Sequence, residues 1–75
     1  MFRQVASSMI TAVYYDHLKD MLQVTYQSGH CYVYFNVPFE IYHQLLNAPS
    51  KGKYMHENIF GVYDYASIFD ETLDI

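Results

Sequence analysis

Ser28-Gly29 separates two runs of strand-forming residues, Met21 to Gln27 and His30 to Val37, and strands joined this closely must pair antiparallel. Glycine supplies the positive φ that a tight hairpin turn requires. Taking Ser28 and Gly29 as the two loop residues sets Gln27 opposite His30. Tyr26 then faces Cys31, Val24 faces Val33 and Leu22 faces Phe35, all apolar pairs on one side. Thr25 with Tyr32 and Gln23 with Tyr34 occupy the other side. A slip of one residue exchanges the faces, so this sorting predicts a core side bearing Val24 and Val33. Tyr32 and Tyr34 are expected on the opposite side.

Met9 to Tyr15 reads as a further strand, joined to the hairpin by the polar Asp16-His17-Leu18-Lys19-Asp20. Asn36-Val37-Pro38 opens a helix, with Pro in the first turn and Glu40 near the positive end of the dipole. Ile41, Leu45 and Ala48, flanked by Tyr42 and Leu46, form its apolar stripe, and Pro49 ends it. Ser50 is a good N-cap for a short second helix over Lys51 to Asn58. The predicted fold class is α+β: a three-stranded antiparallel β-meander, a helix, a short second helix and an acidic, aromatic tail. The organisation expected is a domain over residues 1–63 and a tail over 64–75.

A chain of 75 residues buries only about 60% of its unfolded surface, so its core is marginal without a staple. Lone Cys31 cannot form an internal disulfide, and no Cys/His spacing suits a metal. Nine tyrosines, a residue favoured at interfaces, leave oligomerisation as the expected staple, most simply a homodimer. Residues 1–56 carry Arg3, Lys19, Lys51 and Lys53 against Asp16, Asp20 and Glu40; residues 57–75 carry five carboxylates and no Lys or Arg. Four cations are too few for long duplex DNA, which needs many phosphate contacts. No apolar run approaches the roughly 18 residues of a membrane span, and a single cysteine suits a reducing cytoplasm. No cofactor is called for.

Ser7-Ser8-x-Ile10, Tyr14 or Tyr15 with Asp16, Ser28-Gly29, Tyr32-Val33-Tyr34, Val37-Pro38, Tyr42 with Leu45 and Ala48, and Ser50-Lys51-Gly52-Lys53-Tyr54 with Ile59 follow one another in an order that resembles the KTSC domain. This short module occurs alone in bacterial and phage proteins and at the C-terminus of some lysyl-tRNA synthetases. The likeness spans about residues 5–63 and implies a domain without established enzymatic activity, for which RNA binding has been suggested. Phe60-Gly61-Val62 departs from the pattern, since similar domains often carry Arg or Lys there, and the acidic tail is an addition.

Two groups of residues are candidates for binding. Tyr32 and Tyr34, two apart on one strand face, can stack bases; the alternative is that the helix, the tail or a second subunit covers them. Ser50, Lys51, Gly52 and Lys53, with Tyr54 beside them, place free backbone N–H groups, a hydroxyl and two ammoniums where a phosphate can sit. The alternative there is an N-cap with solvated lysines. Ser7 and Ser8 offer further hydroxyls or a simple strand-start turn. Cys31 is expected to be a buried, inert thiol opposite Tyr26, and no nucleophile–base constellation marks an enzyme. The expected function is a non-enzymatic module for a short RNA or a small nucleotide, cyclic ones included, of the size of a phage-type sequestering protein. The alternative is a protein–protein or homo-oligomerisation module using the Tyr-rich face and the acidic tail.

Overall fold

The computed structural model describes the backbone of residues 2–4 and the whole of residues 9–68. Five strands form one antiparallel sheet in chain order: β1 (Phe2–Gln4), β2 (Ile10–Asp16), β3 (Met21–Tyr26), β4 (Cys31–Tyr34) and β5 (Tyr65–Ile68). Two helices, α1 (Phe39–Asn47) and α2 (Lys51–Asn58), lie between β4 and β5 in sequence. The fold is α+β, and the expected meander is its centre, β2-β3-β4. A strand is added on each side, and β5 falls within the segment read as an acidic tail. Among the described residues no helix is long and apolar enough to cross a membrane.

The β3–β4 register differs from the sequence-based one by one residue. Thr25 pairs with Cys31, Val24 with Tyr32, Gln23 with Val33 and Leu22 with Tyr34. The Tyr26 N–H donates to the His30 carbonyl over 2.9 Å, and the Gly29 N–H donates to the Tyr26 carbonyl. The loop therefore holds three residues, Gln27, Ser28 and Gly29, with Gly29 at φ 93°. That is the common three-residue hairpin loop, whose last position is left-handed and suits glycine. The shift moves Cys31 and Val33 to the face away from the helices, where Val33 is still buried, and brings Tyr32 and Tyr34 onto the helix side. Cys31 is half-buried on the other face with its Sγ 3.4 Å from Thr25 Oγ1, rather than enclosed beside Tyr26.

The core lies between the sheet and the two helices. Val13, Tyr15, Leu22, Val24 and Tyr34 project from one sheet face against Tyr42 and Leu45 of α1 and Met55 of α2. These residues obey the strand and helix periods, two and about 3.6. Pro38 caps α1 with φ −64°, and Glu40 lies in its first turn, as the dipole favours. Ser50 Oγ accepts from the Lys53 N–H at 3.3 Å and caps α2, whose bounds match the sequence reading. Tyr15 ties the layers together. Its buried hydroxyl donates to the Val37 carbonyl over 2.6 Å, and its ring stacks on Tyr42 with centroids 5.2 Å apart.

The register is open to a direct check. Thr25→Cys should form a disulfide with Cys31 under mild oxidation, because the two face each other across the ladder at side-chain contact distance. Tyr26→Cys should not, since its side chain projects from the opposite face. Intact mass before and after reduction reads the difference; cross-linking by Tyr26→Cys instead would restore the two-residue loop.

Candidate functional site

The hairpin register gathers the tyrosines. Tyr26, Tyr32 and Tyr34 share the helix-side face with His30, and β5 brings Tyr65 opposite Tyr34. The turn after α2 brings Phe60 and Gly61. Together with Met9 and Ser28 these residues line an open cleft of about 590 Å³. Gly61 stands at φ 76°, the left-handed turn that leads the chain from α2 towards β5.

The rings meet mostly at angles. Tyr32 is edge-on to Tyr26 at 5.6 Å and to Tyr65 at 5.8 Å, and Tyr34 lies tilted against Tyr65 at 5.8 Å and Phe60 at 6.4 Å. His56 supports Phe60 from behind, edge-on at 4.8 Å. Edge-to-face contacts are favourable for aromatic quadrupoles. Tyr65 is exposed, Tyr26, Tyr32 and Phe60 are half-buried, and Tyr34 is buried. The polar lining is sparse. Tyr26 and Tyr34 join hydroxyl to hydroxyl at 2.8 Å, and Ser28 Oγ lies 3.0 Å from His30 Nδ1. Burial raises the Tyr26 phenol above the ordinary tyrosine range, with its hydrogen bond to Tyr34 adding to the effect. Burial also raises Tyr34, partly offset by the bond from Tyr26. Both phenols are therefore neutral at pH 7, able to donate as well as accept. Among the described residues no Lys, Arg, Asp or Glu side chain lines the cleft.

The structure brings together only part of the expected site. Tyr32 and Tyr34 line the cleft, but from the helix side of the sheet. Ser50 spends its hydroxyl on the cap, and Lys51 Nζ donates to the Ala48 carbonyl over 3.0 Å, satisfying the end of α1. Lys53 is exposed. Tyr54 is half-buried and donates its hydroxyl to Gln44 Oε1 at 2.7 Å; burial, then the neighbouring Tyr63 phenol, raises its pKa. Gly52 adjoins the cleft through Met9, whose Sδ would lie 2.9 Å from any Cβ added there. Ser7 and Ser8 lie outside the described residues.

Sequence reasoning missed Tyr26, Phe60 and Tyr65. The available signal was the alternation Tyr26, then His30, Tyr32 and Tyr34, which a three-residue loop puts on one face.

Comparisons with known proteins come to the same segment. The family described as KTSC domain matches residues 6–63. The lysine–tRNA ligase of Nostoc sp. is 39% identical over 61 residues, 81% of this chain and 11% of that enzyme. The corresponding Trichormus variabilis enzyme is 38% identical over 61 residues. The chain thus spans about a tenth of the length of these ligases (11%). A Tsukamurella paurometabola protein is 36% identical over 52 residues, 69% of this chain and 78% of its own. The crystal structure of a KTSC domain protein from Yersinia pestis superposes with a TM-score of 0.88 at 28% identity, covering 92% of this chain and 97% of that one.

The buried phenols make stability fall at high pH. Their folded-state pKa values lie above the unfolded value of about 10, so the stability they provide is full below pH ~10 and is lost as pH rises beyond it. Denaturation midpoints measured across about pH 9 to 11 should fall at the upper end, and fall less in Tyr26→Phe. An unchanged slope in that variant would remove Tyr26 from the account.

Proposed function

Because the chain belongs to the KTSC domain family, we propose that it is a small non-enzymatic binding module whose aromatic cleft takes an unpaired base of a short RNA or of a small, including cyclic, nucleotide. The observation that carries this reading is the convergence of Tyr32, Tyr34, Tyr65 and Phe60 on one open cleft of about 590 Å³. That volume lies within the span of small-molecule sites, about 300–1,000 Å³. Every base has a π-face, and aromatic clefts bind single strands through it. The occurrence of a similar segment in two lysine–tRNA ligases supports RNA as the source of the base.

The phosphate falls outside the cleft in this reading. Met9 packs at Gly52 and also lines the cleft, so the first turn of α2 stands beside the rim. Lys53, exposed there, is the proposed phosphate contact, with Lys51 as a second once released from Ala48. Ser7 and Ser8 are proposed as further hydroxyl contacts to the ligand.

Calorimetry of the full chain against mononucleotides, cyclic dinucleotides and short RNAs tests the proposal. Tyr32→Ala and Tyr65→Ala should each weaken binding by about 1–3 kcal/mol, one lost stack apiece. Lys51→Ala with Lys53→Ala should weaken it evenly across sequences and flatten its salt dependence. Truncation after residue 63 would remove β5 and Tyr65, so charge effects of the tail are read by converting Asp70, Glu71 and Asp74 to amides. That change should raise affinity, most at low salt. Absence of binding to every probe would sink the reading in favour of a protein-interaction module.

A second reading rests on the other sheet face. Tyr14 and Ile68 there are 39% and 38% exposed, beside the buried Ala12 and Val33. A second copy seated on this face would supply the staple a small core needs. Light scattering at high micromolar concentration should then give a dimer mass, and Tyr14→Lys should lower it. A monomer mass for the wild type would overturn dimerisation.

A further inference from the structure

The polar side chains lining the cleft share one property. Tyr26, Ser28, His30, Tyr32, Tyr34 and Tyr65 each carry a hydroxyl or an imidazole, groups that donate or accept as the partner demands. Among the described residues no side-chain amide, carboxylate, ammonium or guanidinium lines the cleft. Base-specific recognition relies on groups of fixed polarity, such as Asn or Gln on adenine and Arg on guanine. The described side chains of this cleft include none of them.

Resting on the base-binding reading above, we infer that the Tyr26–Tyr34 hydroxyl pair reads the polar edge of the base and does so without choosing among the four. The two oxygens lie 2.8 Å apart, and either can be the donor. When Tyr26 donates to Tyr34, the Tyr34 proton is left for a ligand acceptor and a Tyr26 lone pair for a ligand donor. When the pair reverses, the two roles exchange. One site therefore matches a carbonyl beside an N–H, as in uracil and guanine, and a ring nitrogen beside an amino group, as in cytosine and adenine. The Ser28–His30 pair is ambivalent in the same way, since its polarity follows the imidazole tautomer. An edge whose donor is blocked matches neither arrangement.

The test uses the full chain and the 5′-monophosphates of uridine, cytidine, adenosine, guanosine and 3-methyluridine, whose methyl group replaces the ring N–H. The four ordinary nucleotides should bind within about tenfold of one another, and the methylated one about tenfold more weakly than its parent, the loss of roughly one hydrogen bond. In Tyr26→Phe with Tyr34→Phe the rings remain, so binding persists while the methyl penalty disappears. One base standing more than about tenfold above the others, or a methylated nucleotide equal to its parent, would overturn the inference and leave base binding intact. Failure of all five to bind the wild type would overturn the base-binding reading itself. The wild-type comparisons decide the matter even if the double variant fails to fold.

Discussion

The left-handed backbone at Gly29, φ 93°, is the constraint on which this molecule depends. It closes a three-residue loop, and loop length sets which residue of β3 meets which residue of β4. Because side chains alternate, that choice decides which set of β4 residues faces the helices. With Tyr26 opposite His30, the helix side receives Tyr26, Tyr32 and Tyr34, and the open side receives Cys31 and Val33. The Tyr26–Tyr34 hydroxyl bond, the Tyr32 edge contacts and the cleft all follow. Were the loop one residue shorter, the same sequence would line its helix-side face with cysteine and valine and have no aromatic cleft.

A small domain cannot rely on aliphatic area alone, and this one uses phenols as structural members. Tyr15 and Tyr42 are among its largest fully buried side chains. A buried hydroxyl costs free energy unless bonded, typically by about 1–3 kcal/mol in proteins. Tyr15 meets that demand through Val37 and Asp20, and among the described residues no buried side-chain polar atom lacks a partner. The bond to Val37 also fixes the entry into α1, since Pro38 follows as its cap. Tyrosine therefore holds the sheet to the helices at one end, with Tyr15 and Tyr42, and forms the cleft at the other, with Tyr26, Tyr32 and Tyr34. Residue type alone cannot assign a tyrosine to either task.

That ambiguity explains which parts of the molecule were legible in sequence. Both helices could be read closely, because Pro38, Pro49 and Ser50 punctuate them with local chemistry. The central strands could be read from their residue types. The register could not, because both sides of β4 are hydrophobic: Cys31 and Val33 on one, Tyr32 and Tyr34 on the other. Sorting by apolar pairs rewards either choice. The better signal was the position of glycine. In Gln27-Ser28-Gly29 it comes last, as the three-residue loop requires. β5 was hidden for another reason. Tyr65–Ile68 is an edge strand with all four residues exposed, so no buried alternation marks it, and carboxylates surround it in sequence. Tyr65 could not be joined to Tyr32 and Tyr34 until that strand was placed.

Charge and aromatic character are separated in this chain, and the separation limits what it can bind. Among the described residues no cation side chain lines the cleft; Lys51 and Lys53 stand at the start of α2, across Met9 from it. A ligand that uses both must present a ring and a phosphate some distance apart. It must also have the ring unpaired, because a base inside a duplex shows neither its faces nor its pairing edge. With four Lys and Arg against eight Asp and Glu, the long-range field repels polyanions, so in the proposed reading affinity comes from short-range stacking rather than from phosphate count. In the proposed reading a short, single-stranded or mononucleotide ligand meets these conditions, and a long duplex fails them because its bases are paired.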